Sequence, residues 1–280
     1  MASELTLATR STRPGSPVSP AASTAWLTKT LLNPWVVGLA ALLLLGWYAA
    51  STDGTPAAAR HLLTWTPALL RGLLVNIEIS VLAIALGTCA GLVLGALALS
   101  PLAGVRLAVR WYVLAFRNAP ILVLIYFTTY VFPFELRLVS WTVPFPDWIK
   151  VVLGLALPAS ANVAEIFRGA IQSIPSAQWE AAHSLAFRRS QIFRLVVLPQ
   201  CIRRMLPPWM NLYASITMST SLASLVGVHD LVDTAQIASN TVARTDFTVL
   251  VYFSLLALFF LYCWPIALAT RALEHYHDRR

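Results

Sequence analysis

The chain has 280 residues, 58% of them hydrophobic and only 11% charged, with a formal net charge of +8 and a mean hydropathy of +0.70. A soluble domain carries about 25% charged residues, so these figures exclude an ordinary water-facing globule and assign the chain to a lipid bilayer. The positive surplus follows from the sorting of Lys and Arg across that bilayer, and nucleic acid is not needed to account for it.

In chain order, residues 1–28 are rich in Ser, Thr, Pro and Ala and read as a disordered tail. Charge-free or nearly charge-free runs follow at 30–52, 79–105, 118–134, 151–164, 205–228 and 247–270. A spanning helix needs about 20 apolar residues. The first run is read as a retained helix over 29–52, because it is longer than the core of a signal peptide, although Ala49-Ala50-Ser51 resembles a cleavage site. Residues 53–70, with Gly54, Pro56 and Pro67, read as an outer connection. The third run extends backward through 111–116, interrupted by Arg117. The fourth is short and borrows Trp148 and Glu165. The expectation is an all-α polytopic membrane protein of about six helices, with 273–280 as a short tail. Cys89, Cys201 and Cys263 show no metal or disulfide spacing and read as small hydrophobes.

If the N-terminus is cytoplasmic, fifteen of the twenty Lys and Arg residues lie inside, and only Arg60, Arg71, Arg137, Lys150 and Arg244 lie outside. This asymmetry selects both termini inside. It also puts the polar, arginine-rich stretch between the fourth and fifth runs in the cytoplasm. That stretch reads as two short helices. Ser176 after Pro175 is placed to cap the first, with Glu180 in its first turn. Ser190 is placed to cap the second, whose Ile192, Phe193, Val196 and Val197 form an apolar face ended or kinked by Pro199.

The stretch Glu180-Ala181-Ala182, followed at fixed spacing by Ala186, Val196, Leu198 and Pro199, resembles the cytoplasmic loop of bacterial ABC-importer permeases. Ala186 stands where that family has Gly. If the Gly serves a left-handed backbone, Ala costs on the order of 1 kcal/mol; if it serves close helix approach, Ala is tolerated more easily. Further stretches resemble the polar amino-acid uptake permeases: Gly72 to Ser80, Phe116 to Pro120, Ala164 to Gly169, and Thr220 to Ser224, the last with Met218 and Ser219 replacing a Lys-Asp pair. The resemblance implies a permease domain over 71–272, preceded by one added helix, in a bacterial inner membrane. It implies docking of Glu180, Ala181, Ala182, Ala186, Leu198 and Pro199 on a cytoplasmic ATP-binding subunit dimer. A second permease subunit, the same or similar, and an extracytoplasmic solute-binding protein are implied with it.

Within the spans, Glu78, Glu165, Asn211, Thr220 and Ser221 are candidates for the substrate path or a gate. For each hydroxyl, helix packing is the competing account. Glu165 and Arg168, three apart, also suit a plain ion pair. Gly87, Gly91 and Gly95 give a small-residue stripe for a tight crossing, either at a dimer seam or within one subunit. The chain has no Walker-type phosphate loop, so ATP chemistry belongs to a partner, and no catalytic residue, metal or cofactor is implied. The rival readings are a permease for another small solute, an ion-driven secondary transporter, and an intramembrane enzyme. The second lacks a visible duplication. The third lacks any zinc or serine-hydrolase motif.

Overall fold

The structure is a computed structural model that describes residues 55–138 and 141–278. The expected tail at 1–28 and added helix at 29–52 lie outside the described residues. What is described is mainly helical: α1 (Thr55–Leu97), α2 (Ala103–Asn118), α3 (Ile121–Val131), α4 (Asp147–Gln172), α5 (Ser176–Ser184), α6 (Arg189–Gln191), a π-helical turn (Ile192–Val197), α7 (Leu198–Ser219), a 3-10 segment (Thr220–Val226), α8 (Leu231–Val242) and α9 (Thr245–Asp278). Among these, α1, α4 and α9 are each long and apolar enough to cross a membrane, and α2 with α3 makes a fourth crossing if the bent pair is one span.

The stretch at 53–70, expected as a connection, is helical from Thr55 and runs without a break into the first described span. Packing accounts for this. Ala58, Leu62, Trp65, Leu69 and Leu73 form a helical stripe that packs on Leu231, Ala235, Ala238, Phe247 and Val251 of α8 and α9. At 43 residues α1 is about 65 Å long, twice the hydrocarbon thickness.

The third run is two helices, not one. The α2–α3 pair bends by 105°. Ala119 is extended (φ −74°, ψ 135°) and Pro120 begins the next helix, as the steric demand of proline on the residue before it requires. Asn118 Nδ2 donates to the Leu114 carbonyl at 2.7 Å, one turn back in α2. The all-α expectation also needs a small correction. Strands β1 (Glu135–Leu138) and β2 (Trp141–Pro144) form an antiparallel ribbon with Glu135 opposite Pro144.

Lys150, counted above among the outer charges, is fully buried near the start of α4. Its ammonium donates to Asp147 Oδ1 at 3.0 Å and to the Thr129 carbonyl at 3.4 Å, and lies 3.9 Å from the Phe134 ring centroid. A buried cation requires such partners. The side chain thereby ties α3 and the entry to the ribbon onto α4.

The central core joins Ile79, Ala83 and Ile84 of α1, Ile125 of α3, Val151, Leu155 and Ala159 of α4, and Ile216 of α7. The glycine stripe serves this packing within the subunit. A Cβ at Gly87 would lie 2.6 Å from Ala159 Cβ, one at Gly91 2.6 Å from the Ser160 carbonyl, and one at Gly95 2.7 Å from the Phe167 ring.

Candidate functional site

The loop that carries Glu180 is built on a core of its own. Ala170, Ile174, Ala182, Ile192, Val197 and Cys201 are buried together, with Trp179, Phe193 and Met205 packed around them. Apolar burial of this kind contributes about 25 cal/mol per Å2 and seats α5 against the ends of α4 and α7. Two polar clamps complete the mounting. Arg204 Nη1 donates to the Ser173 carbonyl at 2.6 Å and to Ser173 Oγ at 2.8 Å. Gln200 Nε2 donates to Gln178 Oε1 at 2.6 Å. These clamp residues join positions 22 to 31 apart in sequence and carry no periodic signal, so the sequence reading passed over them.

Glu180 and Ala181 are exposed on α5, and Ala182 is buried beneath them. The helix begins at Ser176 with Pro175 in the cap position, so Ser176 does not cap it, and Glu180 is the fifth helical residue. Glu180 is therefore past the first turn, where the dipole argument holds. Ser190 does not cap the second helix either. Arg188 occupies that position, and its N–H donates to Gln191 Oε1 at 2.8 Å.

Ala186 has φ +58°, in the left-handed region. The Phe187 N–H donates to the Ala182 carbonyl at 3.2 Å and the Ala186 N–H to the His183 carbonyl at 2.9 Å. This is the Schellman closure of a helix, in which glycine is the usual residue at the left-handed position. The question left open by the sequence is thus decided on the side of backbone conformation. Leu198 and Pro199 open α7 directly after the π-helical turn, and the Leu198 N–H donates to the Phe193 carbonyl five residues back. Proline cannot sit against a regular carbonyl four residues before it. The widened turn relieves that clash, so the helix continues through Pro199 instead of ending there.

The candidate path residues do not form one cluster. Glu78 is exposed on α1 and makes no side-chain hydrogen bond or ion pair with a described residue. Glu165 is half-buried and accepts from Arg168 Nε at 3.0 Å and from Arg168 Nη2. Asn211 and Ser215 are exposed one turn apart on α7, in line with Arg204 and Pro208 below them. Arg204 and Pro208, with Gly169, Ser173 and Gln200, line a cavity of about 790 Å3 beside the α5 mounting. Ser221 is half-buried and donates to the Met218 carbonyl at 2.9 Å.

Thr220 turns the other way. It is fully buried, donates to the Thr217 carbonyl at 2.8 Å and accepts from Asn76 Nδ2 at 3.1 Å. The same Asn76 amide donates to Asp230 Oδ2 at 3.0 Å, and its carbonyl accepts from the Leu231 N–H at 3.0 Å. Asp230 Oδ1 caps α8 by accepting from the Asp233 N–H at 2.9 Å. Burial pushes the Asp230 carboxyl up to about 6, against the lowering effect of these donors. Gly227, at φ +82°, makes the turn that leads from the 3-10 segment to this network.

Comparison with known proteins agrees with this architecture. Residues 87–280 match the family described as the binding-protein-dependent transport system inner membrane component. The octopine transport system permease protein OccM of Rhizobium radiobacter is 35% identical over 188 residues, which cover 66% of this chain and 76% of that protein. The L-cystine transport system permease protein TcyB of Bacillus subtilis is 29% identical over 213 residues, covering 76% of this chain and 88% of that protein. Among solved structures, an amino acid ABC transporter crystallised with histidines superposes with a TM-score of 0.67 at 26% identity, covering 78% of this chain and 97% of that one. An inward-facing MetNI methionine transporter shares the fold at a TM-score of 0.54 and 19% identity. With more than half of its length matched by the family and its helices superposing on those of a family transporter, the chain belongs to the inner membrane components of binding-protein-dependent transport systems.

Proposed function

We propose that this permease forms one membrane half of an ATP-driven importer for amino acids or related small zwitterions. Relatives named for octopine, cystine and glutamine support that solute class. The observation that carries the coupling mechanism is the mounting of α5: a nine-residue helix that exposes Glu180 and Ala181 while its other face is locked by Ala182, Trp179 and the Gln178–Gln200 clamp. An exposed helix fixed on a packed base transmits force, whereas a loosely attached one dissipates it.

In this reading α5 inserts into a cytoplasmic ATPase subunit. Closure of the ATPase dimer moves α5, and the clamps pass the motion to α4 and α7. A second permease subunit, the same or similar, completes the path, and an extracytoplasmic binding protein delivers the solute. The chain crosses the membrane six times with both ends in the cytoplasm, the helix over 29–52 being additional to the permease domain over 71–272. The exposed polar stripe Asn211–Ser215 of α7 faces the path, with Glu165 near its inner end.

Reconstitution in proteoliposomes tests this reading. Amino-acid uptake is expected only with the ATPase subunits, ATP and the loaded binding protein present together. Uptake driven by an ion gradient, with no ATPase subunit in the vesicle, would overturn it.

A further inference from the structure

A groove of about 840 Å3 separates α2 from the inner end of α4. Arg106, Arg110 and Arg117 enter it from one stripe of α2 and Arg168 from α4, and Glu165 is its only carboxylate among the described residues. Two of the four arginines are already engaged. Arg168 is paired with Glu165, and Arg106 Nη1 donates to the Ser100 and Pro101 carbonyls, each at 2.9 Å. Arg110 and Arg117 make no side-chain hydrogen bond or ion pair with a described residue. The groove therefore holds a net positive charge with free donors.

The neighbouring stripe of α2 has the opposite chemistry. Leu107, Trp111 and Leu114 are 55%, 63% and 51% exposed. Between α2 and α3 the chain bends by 105°. α3 packs on α4, with Ile125 and Thr128 against Gly154. α2 meets α4 where Tyr112 Oη lies 2.8 Å from Ser160 Oγ. A helix turned by 105° from its successor, with arginines on one stripe and Leu and Trp on the next, has the chemistry of an interfacial helix.

We propose that this groove seats the phosphate headgroup of an anionic membrane lipid in the leaflet on the side of the Glu180 helix. Arg110 and Arg117 neutralise the phosphate, and the acyl chains lie along Leu107, Trp111 and Leu114. Basic pockets between membrane helices bind anionic headgroups in this way. A soluble anion satisfies the arginines but leaves the adjoining apolar stripe uncovered. A second protein copy would have to bury two unpaired guanidinium groups, which is costly. The inference depends on the membrane location of the chain and not on its solute.

The test uses the full-length permease assembled with its ATPase subunits in nanodiscs of phosphatidylcholine containing a minority of phosphatidylglycerol. Native mass spectrometry reads the lipid retained on release. The wild-type chain is expected to retain phosphatidylglycerol preferentially. In Arg110→Gln/Arg117→Gln that preference falls by about fivefold per arginine, roughly thirtyfold for the pair, and Arg110→Lys/Arg117→Lys keeps most of it. An unchanged preference in the glutamine variant overturns the proposal. So does displacement of the lipid by inorganic phosphate, which would mark a soluble-anion site. Cross-linking of Trp111→Cys to a second permease copy overturns it as well, by assigning the apolar stripe to a protein interface. Because lipid retention is read without transport, a failed uptake assay and a failed lipid assay are separate outcomes.

Discussion

The Phe187 N–H reaches back 3.2 Å to the carbonyl oxygen of Ala182 and closes the helix that carries Glu180. This bond forces Ala186, the residue just before Phe187, into a left-handed conformation at φ +58°. An L-residue there carries a cost of about 1 kcal/mol that glycine avoids. Ala186→Gly is therefore expected to stabilise the loop by up to about 1 kcal/mol, less the extra freedom glycine gains when unfolded. Ala186→Val destabilises it, because a β-branched side chain fits the left-handed region worst. Hydrogen exchange at the amides of Ala186 and Phe187 measures both effects. Faster exchange in the glycine variant would contradict the Schellman assignment.

Glu180 and Ala181 are exposed on α5 while Ala182 is buried under them. Glu180→Lys leaves the packed base untouched, so membrane insertion and thermal stability of the permease are expected to stay within about 0.5 kcal/mol of wild type. Docking to the ATPase subunit is expected to weaken by roughly thirtyfold, the scale of a hot-spot residue worth about 2 kcal/mol. Pull-down of the ATPase and binding-protein-stimulated ATP hydrolysis check this. Undiminished coupling in the variant would remove α5 from the drive train.

Asn76 unites three elements, since its amide serves Thr220 and Asp230 and its carbonyl serves the Leu231 N–H. Asn76, Thr220 and Asp230 are fully buried, and removal of Asn76 takes one partner each from Thr220 Oγ1, Asp230 Oδ2 and the Leu231 N–H. At about 1–3 kcal/mol for each orphaned buried group, Asn76→Ala is expected to lose about 3 kcal/mol or more. Asp230→Asn is also unfavourable, because both Asp230 oxygens accept and an amide would set one donor against the Asn76 amide. Thermal unfolding in detergent, compared with wild type, gives both values.

The same carboxylate makes stability depend on pH. Asp230 lies at about 6 in the folded chain against an ordinary 3.8, with burial as the main cause. The folded state thus holds this proton more tightly than the unfolded state. The contribution is fully present below about pH 3.8 and is lost as pH rises through about 6. Between pH 5 and pH 7.5 the loss is about 1.4 kcal/mol. The wild-type chain is expected to be more stable at pH 5 by that amount from this group, and Asp230→Asn to lack the difference. Equal pH slopes for the two proteins would rule out Asp230 as the source.

The sequence made some of these features legible and concealed others, for physical reasons. Helix α9 follows from an unbroken apolar run, α4 from a shorter run that borrows charged flanks, and the Glu180 loop from the spacing of Glu180, Ala182, Leu198 and Pro199. The first half of α1 was hidden because Gly54, Pro56 and Pro67 signal a loop, while the stripe Ala58–Leu62–Trp65–Leu69 has meaning only against α8 and α9. Thr220 and Ser221 are adjacent and chemically alike, yet one is fully buried and the other is not. Only the 3-10 turn they share decides which faces Asn76. Lys150 reads as an outer charge until Phe134, Asp147 and Thr129, up to 21 positions away, are brought around it.

The glycine stripe of α1 can be tested against an internal control. A Cβ at Gly91 would meet the Ser160 carbonyl and Val163 Cβ, both at 2.6 Å, and neither can move without shifting α4. Gly104, near the start of α2, has no such neighbour within 4 Å. The two Gly→Ala changes have the same chemistry and both lie in helices, where alanine is intrinsically favoured by up to about 1 kcal/mol. At Gly104 that preference acts alone, weakened by its place in the first turn, and the change is expected to be neutral or slightly stabilising. At Gly91 overpacking costs about 1–3 kcal/mol and outweighs it, with a larger loss for Gly91→Val. Unfolding midpoints of the two alanine variants measured side by side give the difference directly. A Gly91→Ala protein as stable as Gly104→Ala would mean that α1 and α4 are not in backbone contact at this point.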